Sequence, residues 1–282
     1  MATHSRTPGS EHLARIERLR RLPPVAFAEH CGRKAFEMGA IDRAIVLASQ
    51  AYVAIFPFLI IVGSIAPRRG AKDTADGLID RFGLTGSTAQ SVRDLFSSPT
   101  DVKNALSWAG VIVLLLSTLS FTRSLQRVYE LCFSLPAAGA RNTKRGLLWL
   151  GGLAVYGWVG TLIALVRAGP LRNALAVVLS LAWSFVFFTW TPYVLTGYRV
   201  PWRRLVPIGF ATTTGLAFFV LASGVYMPHL ISRQSHRYGL IGVAFALLSW
   251  VLVGAFVIVA AAVIGSEVSE TPRRMYRRLR GR

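Results

Sequence analysis

The 282-residue chain is 53% hydrophobic and only 16% charged, yet it carries 32 Lys and Arg against 13 Asp and Glu, a net charge of +19. A soluble domain holds about 25% charged residues, and a disordered chain needs low hydrophobicity, so both classes are excluded. The charge is confined to short segments between long apolar runs. That is the pattern of a polytopic membrane protein, not of a basic nucleic-acid-binding face.

A bilayer core of about 30 Å takes about 20 apolar residues as a helix. The residues before the first apolar run, 1–43, form a basic segment expected in the cytoplasm. Within it, Leu13, Ile16, Leu19 and Leu22 recur near the helical period with arginines on the remaining faces. This reads either as an amphipathic helix on an anionic leaflet or as a solvated tail that enforces topology. No apolar run of useful length precedes Ala44, so the first span is expected to act as its own insertion signal. Six spans then follow, at about 44–66, 105–125, 146–166, 171–195, 205–227 and 240–265. The runs are continuous and do not alternate with period two, which favours helices over a barrel. The expected fold is an all-α bundle of six transmembrane helices.

The outer loop 67–104 is the longest connection outside the membrane. It contains two stretches that read as amphipathic extracytoplasmic helices, near Asp73–Phe82 and Ser87–Phe96. The outer link Met227–Gly239 holds His229 and His236, which are too far apart and too poor in carboxylates for a metal set. Residues 266–282 read as a basic cytoplasmic tail.

With six spans, 22 of the 32 Lys and Arg fall on one side and 10 on the other. The richer side should be cytoplasmic, with both termini inside a plasma membrane. The charge excess is then explained by topology, and no nucleic-acid partner is needed. Membrane lipids are the expected partners, with anionic lipid at the cytoplasmic face, and a homo-oligomer stays open. Cys31 and Cys132 have no CxxC neighbour and read as unpaired thiols on the reduced side.

Seven residues are candidates for a pathway or for head-group contacts. Gln50 and Pro57 lie two turns apart in the first span, where the proline removes a backbone hydrogen bond and is expected to kink the helix. Gln50 then lines a path or holds helices together. In the second span the apolar run passes into a polar exit. Ser117, Ser120, Arg123, Gln126 and Arg127 follow helical spacings there and read as a stripe leading into a cytoplasmic extension. Arg123 either snorkels to the interface or faces a hydrophilic cavity. Glu130 is the acidic residue of this link and a partner for Arg127 or Arg123. Thr212, Thr213 and Thr214 in the fifth span read as hydroxyls bonded to their own helix backbone. Gly151, Gly152, Gly157 and Gly160 allow close packing in the third span, against another helix or a second subunit.

Enzyme signatures are missing: no HExxH, no GxSxG and no Walker A lysine motif. No enzyme activity, cofactor or metal is expected. Five scattered histidines make no ligand set.

The ordered features of residues 27–270 resemble the YihY/BrkB family of bacterial inner-membrane proteins. The resemblance is carried by ASQAYVAIFPFL in the first span, LSTLSFTRSLQRVYE at the second-span exit, YRVPWRRLVPIG entering the fifth, YGLIGVAFALLSW opening the sixth, and Gly265 with Glu267 at its end. Ala54 stands where the family usually has a serine, and Thr196-Gly197 where it usually has Pro-Asn, so the chain reads as a divergent member. The family carries an old ribonuclease name, but no nuclease site can be assembled from these residues. The resemblance implies an envelope protein, either a transporter or flippase for a lipid or another amphiphilic component, or a non-transporting structural or partner-binding protein.

Overall fold

A computed structural model of the chain describes residues 23–65, 79, 90, 100–138, 143–165 and 170–280. Every element among them is a helix. Helix α1 is Pro23–Glu37 and α2 is Ala40–Ile65. Helix α3 is Thr100–Cys132, α4 is Thr143–Leu165 and α5 is Pro170–Leu195. Helix α6, Trp202–Arg280, is broken at Gly239.

The main contacts run α3 on α2, α2 on α6, α6 on α5 and α5 on α4, and α3 also touches α4, α5 and α6. This arrangement suits a bilayer. Lipid tails are as apolar as leucine, so helices associate through close packing and interhelical hydrogen bonds more than through apolar burial. Such bonds recur along the bundle. Trp149 Nε1 donates to Thr191 Oγ1 at 3.1 Å, joining α4 to α5. The hydroxyls of Tyr156 and Ser184 pair at 2.9 Å across the same seam. Tyr52 donates to the carbonyl oxygen of Ala244 at 3.3 Å, joining α2 to α6. Bonds of this kind are worth on average about 0.6 kcal/mol each inside a membrane. The side chains facing outward are large and apolar, among them Leu116, Val178, Phe218 and Leu221, as a lipid-facing surface requires.

Among the described residues, four helical segments are long and apolar enough to cross a membrane: Thr143–Ile163, Arg172–Leu195, Trp202–Ile231 and Ile241–Glu270. The bent pair Phe27–Glu37 and Ala40–Ile55, which meet at 62°, makes a fifth if counted as one span. The count is thus four or five against the six expected. The second expected span lies on α3 and is not among these. The bend between α1 and α2 falls at Gly39, which has a positive φ of 63°.

Three expected connections take another form. Met227–Tyr238 is helical where an outer link was expected. Met227, Leu230 and Ile231 return to the apolar face at helical spacing and pack against Val243, Ala246 and Leu247, so nothing ends the helix before the glycine. Residues 266–280, read as a basic tail, continue α6, and Ser266 and Glu267 at their start are buried and bonded. Helix α3 begins at Thr100, inside the expected outer loop. The expected amphipathic stretch Ser10–Leu22 lies outside the described residues. So do the two extracytoplasmic stretches, except that Ile79 and Gln90 are helical.

Gly239 turns the chain back on itself with φ 57° and ψ −137°, a conformation open essentially to glycine alone. The two arms of α6 then run against each other. Trp250 Nε1 donates to Ser223 Oγ at 2.7 Å, and the Phe219 and Trp250 rings stack. Nearer the chain's end, a Cβ at Gly265 would meet the backbone of Ile208, so the arms touch main chain to main chain. Gly239→Ala should lower stability by about 1–3 kcal/mol. Thermal unfolding of the purified protein in detergent measures it.

Candidate functional site

Ion pairs among the described residues gather at one end, where α1 and α2 meet, α3 ends, α4 starts, α5 passes into α6, and α6 finishes. The residues that build it come from a stripe on α3. Thr118, Thr122, Gln126 and Glu130 repeat every four residues, and all four are buried. Thr122 is satisfied within the helix, donating to the carbonyl oxygen of Thr118 at 2.6 Å. Gln126 Nε2 donates to Glu130 Oε1 at 2.8 Å.

Glu130 is 1% exposed. A lone carboxylate there would be prohibitively costly, and the chain surrounds it with donors. Arg199, from the α5–α6 link, donates Nη2 to Glu130 Oε1 at 2.8 Å. The backbone N–H of Ala138 donates to the same oxygen at 3.0 Å. Arg127 Nη1 lies 3.6 Å from the other oxygen. Arg199 also donates Nε to the carbonyl oxygen of Thr196 at 2.7 Å and Nη1 to that of Pro136 at 2.8 Å. One guanidinium therefore fastens the exit of α3 to the exit of α5.

A second ion pair lies beside it. Lys34, from α1, places Nζ 3.0 Å from Glu267 Oε1 and donates to Ser266 Oγ at 3.0 Å, with Glu270 at 4.0 Å. Ser266 Oγ donates in turn to the carbonyl oxygen of Val263 at 2.8 Å. This pair joins α1 to the end of α6. His30, Arg33, Lys34, Glu37, Met38, Leu131, Ser134, Glu267 and Glu270 line a cavity of about 290 Å³.

Cys132 lies among the same groups. Burial pushes its thiol from the ordinary 9.0 up to about 12, although the charge of Lys34 pulls the other way. A thiol held protonated is a poor nucleophile and a poor metal ligand. Among the described residues no three His, Cys, Asp or Glu side chains converge on a metal position.

The seven expected site residues are divided between α2 and α3. Gln126 is buried in the Glu130 network, and Arg127 is half-buried on its edge. Ser117 is half-buried, while Ser120 and Arg123 are exposed. Arg123 reaches Thr143 Oγ1 at 3.4 Å, a long bond at the start of α4. Gln50 is half-buried on α2, and its Oε1 is buried without a hydrogen-bond partner. Helix α2 continues past Pro57 to Ile65, and the side chain of Pro57 lies outside those described. The hydroxyls of Thr212 and Thr213 are buried without the backbone bonds expected for them. Arg199, Lys34, Ser266 and Glu267 were missed as site residues. The four-residue repeat of Thr118, Thr122, Gln126 and Glu130 was the available signal on α3.

A sequence model described as virulence factor BrkB matches residues 36–280. The chain belongs to that family. The match agrees with the resemblance read from the ordered motifs and takes in Glu130, Arg199 and Glu267, while Lys34 lies two residues outside it. No curated protein and no solved structure matches the chain. With its apolar helices, this BrkB-family chain is a multi-pass integral membrane protein.

Removing one partner of a buried ion pair strands the other charge, at a cost of about 3–5 kcal/mol. Arg199→Ala should fall at the lower end of that range, because Arg199 keeps 30% of its side chain exposed. The double substitution Glu130→Gln, Arg199→Gln should cost less than the single change. Thermal unfolding of the two purified variants beside the parent protein decides it. For Cys132, whose folded pKa is raised, the contribution to stability is present below pH 9.0 and lost as pH rises toward about 12. Cys132→Ala should flatten that decline in unfolding curves recorded across the interval.

Proposed function

We propose that the chain is a transporter or flippase-like protein that moves a lipid or another amphiphilic envelope component across the bacterial plasma membrane. In this reading both termini are cytoplasmic, the ion-paired end faces inward, and no enzyme activity or cofactor is involved. The observation that carries it is Gln50 Oε1. This amide oxygen is buried on α2, which packs between α3 and α6, and has no hydrogen-bond partner. An acceptor left unmet in apolar surroundings costs about 1–3 kcal/mol. A polar group passing along α2 would supply the missing donor. The two ion pairs support the same reading, because they close one end of the bundle.

The test is translocation of fluorescent phospholipids in vesicles holding the full chain. Gln50→Leu removes the acceptor at similar volume and should slow translocation severalfold at unchanged protein abundance. A wild-type rate in that variant would rule out a path beside Gln50.

A second reading, a structural or partner-binding protein, rests on α4. A Cβ at Gly152 would strike Trp190, so that glycine serves internal packing. Gly151, Gly157 and Gly160 meet nothing within 4 Å. Their open surface suits a helix from another chain. Co-purification of one stoichiometric protein, with no lipid translocated, would favour it.

A further inference from the structure

Helix α1 meets α2 at an angle of 62° and is held lightly by protein. Between Phe27 and Glu37 none of its side chains is buried. An isolated helix of about 12–15 residues is marginal in water, so α1 gains little from the bundle alone.

The sides of the helix divide cleanly. At 3.6 residues per turn, positions four apart share a side. Cys31 and Ala35 are half-buried and pack against the core. Lys34 reaches Ser266 and Glu267 at the end of α6. These two sides turn toward the bundle. Glu29, Arg33 and Glu37 form an exposed charged side, on which Arg33 and Glu37 pair at 3.7 Å. Ala28, Gly32 and Phe36 form an exposed apolar side between the charged residues and the Cys31–Ala35 side. Phe36 is 89% exposed, and a Cβ at Gly32 would meet nothing within 4 Å.

A single exposed apolar side chain needs no explanation. This stripe, however, leads past the bend at Gly39 to Ile41, Ile45 and Val53 of α2, which are exposed and spaced by multiples of four. Helix α2 has 26 residues, about 39 Å at 1.5 Å per residue. It therefore crosses a hydrocarbon core of about 30 Å without help from α1. With α2 upright, the 62° bend lays α1 nearer the membrane plane than its normal. The charged side then meets water, and the apolar stripe meets lipid where the stripe of α2 begins.

We propose that α1 lies on the bilayer surface at the ion-paired end, with Phe36 inserted at the boundary between headgroups and hydrocarbon. The attraction is apolar. Residues 23–37 set Arg33 and Lys34 against Glu29 and Glu37, so this helix carries no formal charge excess to draw it to anionic lipid. Helix α1 is then held between lipid on one side and the end of α6 on another. The inference goes beyond the transport reading and requires only that the chain is a membrane protein, whether or not a lipid is moved beside Gln50.

The experiment attaches an environment-sensitive fluorophore to single cysteines of the full chain, in a Cys31→Ser, Cys132→Ala background. The protein is held in phosphatidylcholine nanodiscs, and quenching by nitroxide-labelled lipid is compared with quenching by iodide. Labels at Ala28→Cys and Phe36→Cys should be quenched by the lipid nitroxide, and severalfold less by iodide than a label at Arg33→Cys. Phe36→Asp should raise iodide quenching of the Ala28→Cys label severalfold, while Phe36→Leu should leave it unchanged. The substituted positions of α1 other than Cys31 are exposed, so the variants should fold, and their melting temperatures check this. Full iodide access at the two apolar positions would overturn the proposal, since the stripe would then face water. Protection from both quenchers would overturn it as well, with a second copy or another segment of the chain covering the stripe. So would lipid quenching that appears only when phosphatidylglycerol is added, since charge would then be the attraction. A failed translocation assay does not alter this measurement, so the two readings fail separately.

Discussion

Glu130 cannot be solvated where it lies. Its carboxylate is buried at the end of α3, and the surrounding chain must supply what water would otherwise provide. That demand organises the end of the bundle. Gln126 approaches from the preceding turn, Ala138 from the loop after the helix, and Arg199 from a link nearly seventy residues later. Arg199 in turn collects the carbonyl oxygens of Pro136 and Thr196. Satisfying one charge therefore fixes the exit of α3, the exit of α5 and the entry of α6 together.

The Lys34–Glu267 pair repeats the device with α1 and the end of α6. Both pairs join segments far apart in the chain, and both belong to the same end. Their value differs from that of surface ion pairs, which contribute little. Here the acidic partners are buried, so the pairs impose which helix ends meet more than they add net stability. The opposite turn of α6 is held differently, by the glycine break at Gly239 and a small apolar cluster around Ile231 and Val243. The bundle is thus pinned by charge at one end and packed mainly by apolar contacts at the other.

The candidate pathway and the ion-paired end are separate features. Gln50 is a polar group with no partner for its oxygen, set on a helix surrounded by others. Glu130 is a charged group with every need met. The first leaves an acceptor unmet, and the second ties together the helix ends around it. The surface at Tyr198 and Trp202 is a third kind of place, where aromatic rings and cations face outward.

Membership of a polytopic helical protein was legible in the residues themselves. Apolar runs of the length of a bilayer have few alternatives, and the positions of α4 and α5 follow from hydropathy within a few residues, while both arms of α6 run on past the spans read for them. The extension of α3 beyond its apolar run was legible too, because nothing between Ser117 and Cys132 breaks a helix. The partners of Glu130 were legible only in part. Local spacing pointed to Arg123 and Arg127 on the same helix; Arg127 does lie 3.6 Å from the carboxylate, but the closest contact comes from Arg199 across the bundle. A residue's neighbours along a helix can be read from its period, but its neighbours across a fold depend on how the loops return. The same limit explains Ser266 and Glu267, which composition assigns to a basic tail and packing places in the core. Sequence by itself determined that these helices cross a membrane, since the bilayer tests each segment separately. Only the tertiary structure decided which charges meet inside, because a buried charge is settled by whatever segment the fold brings to it.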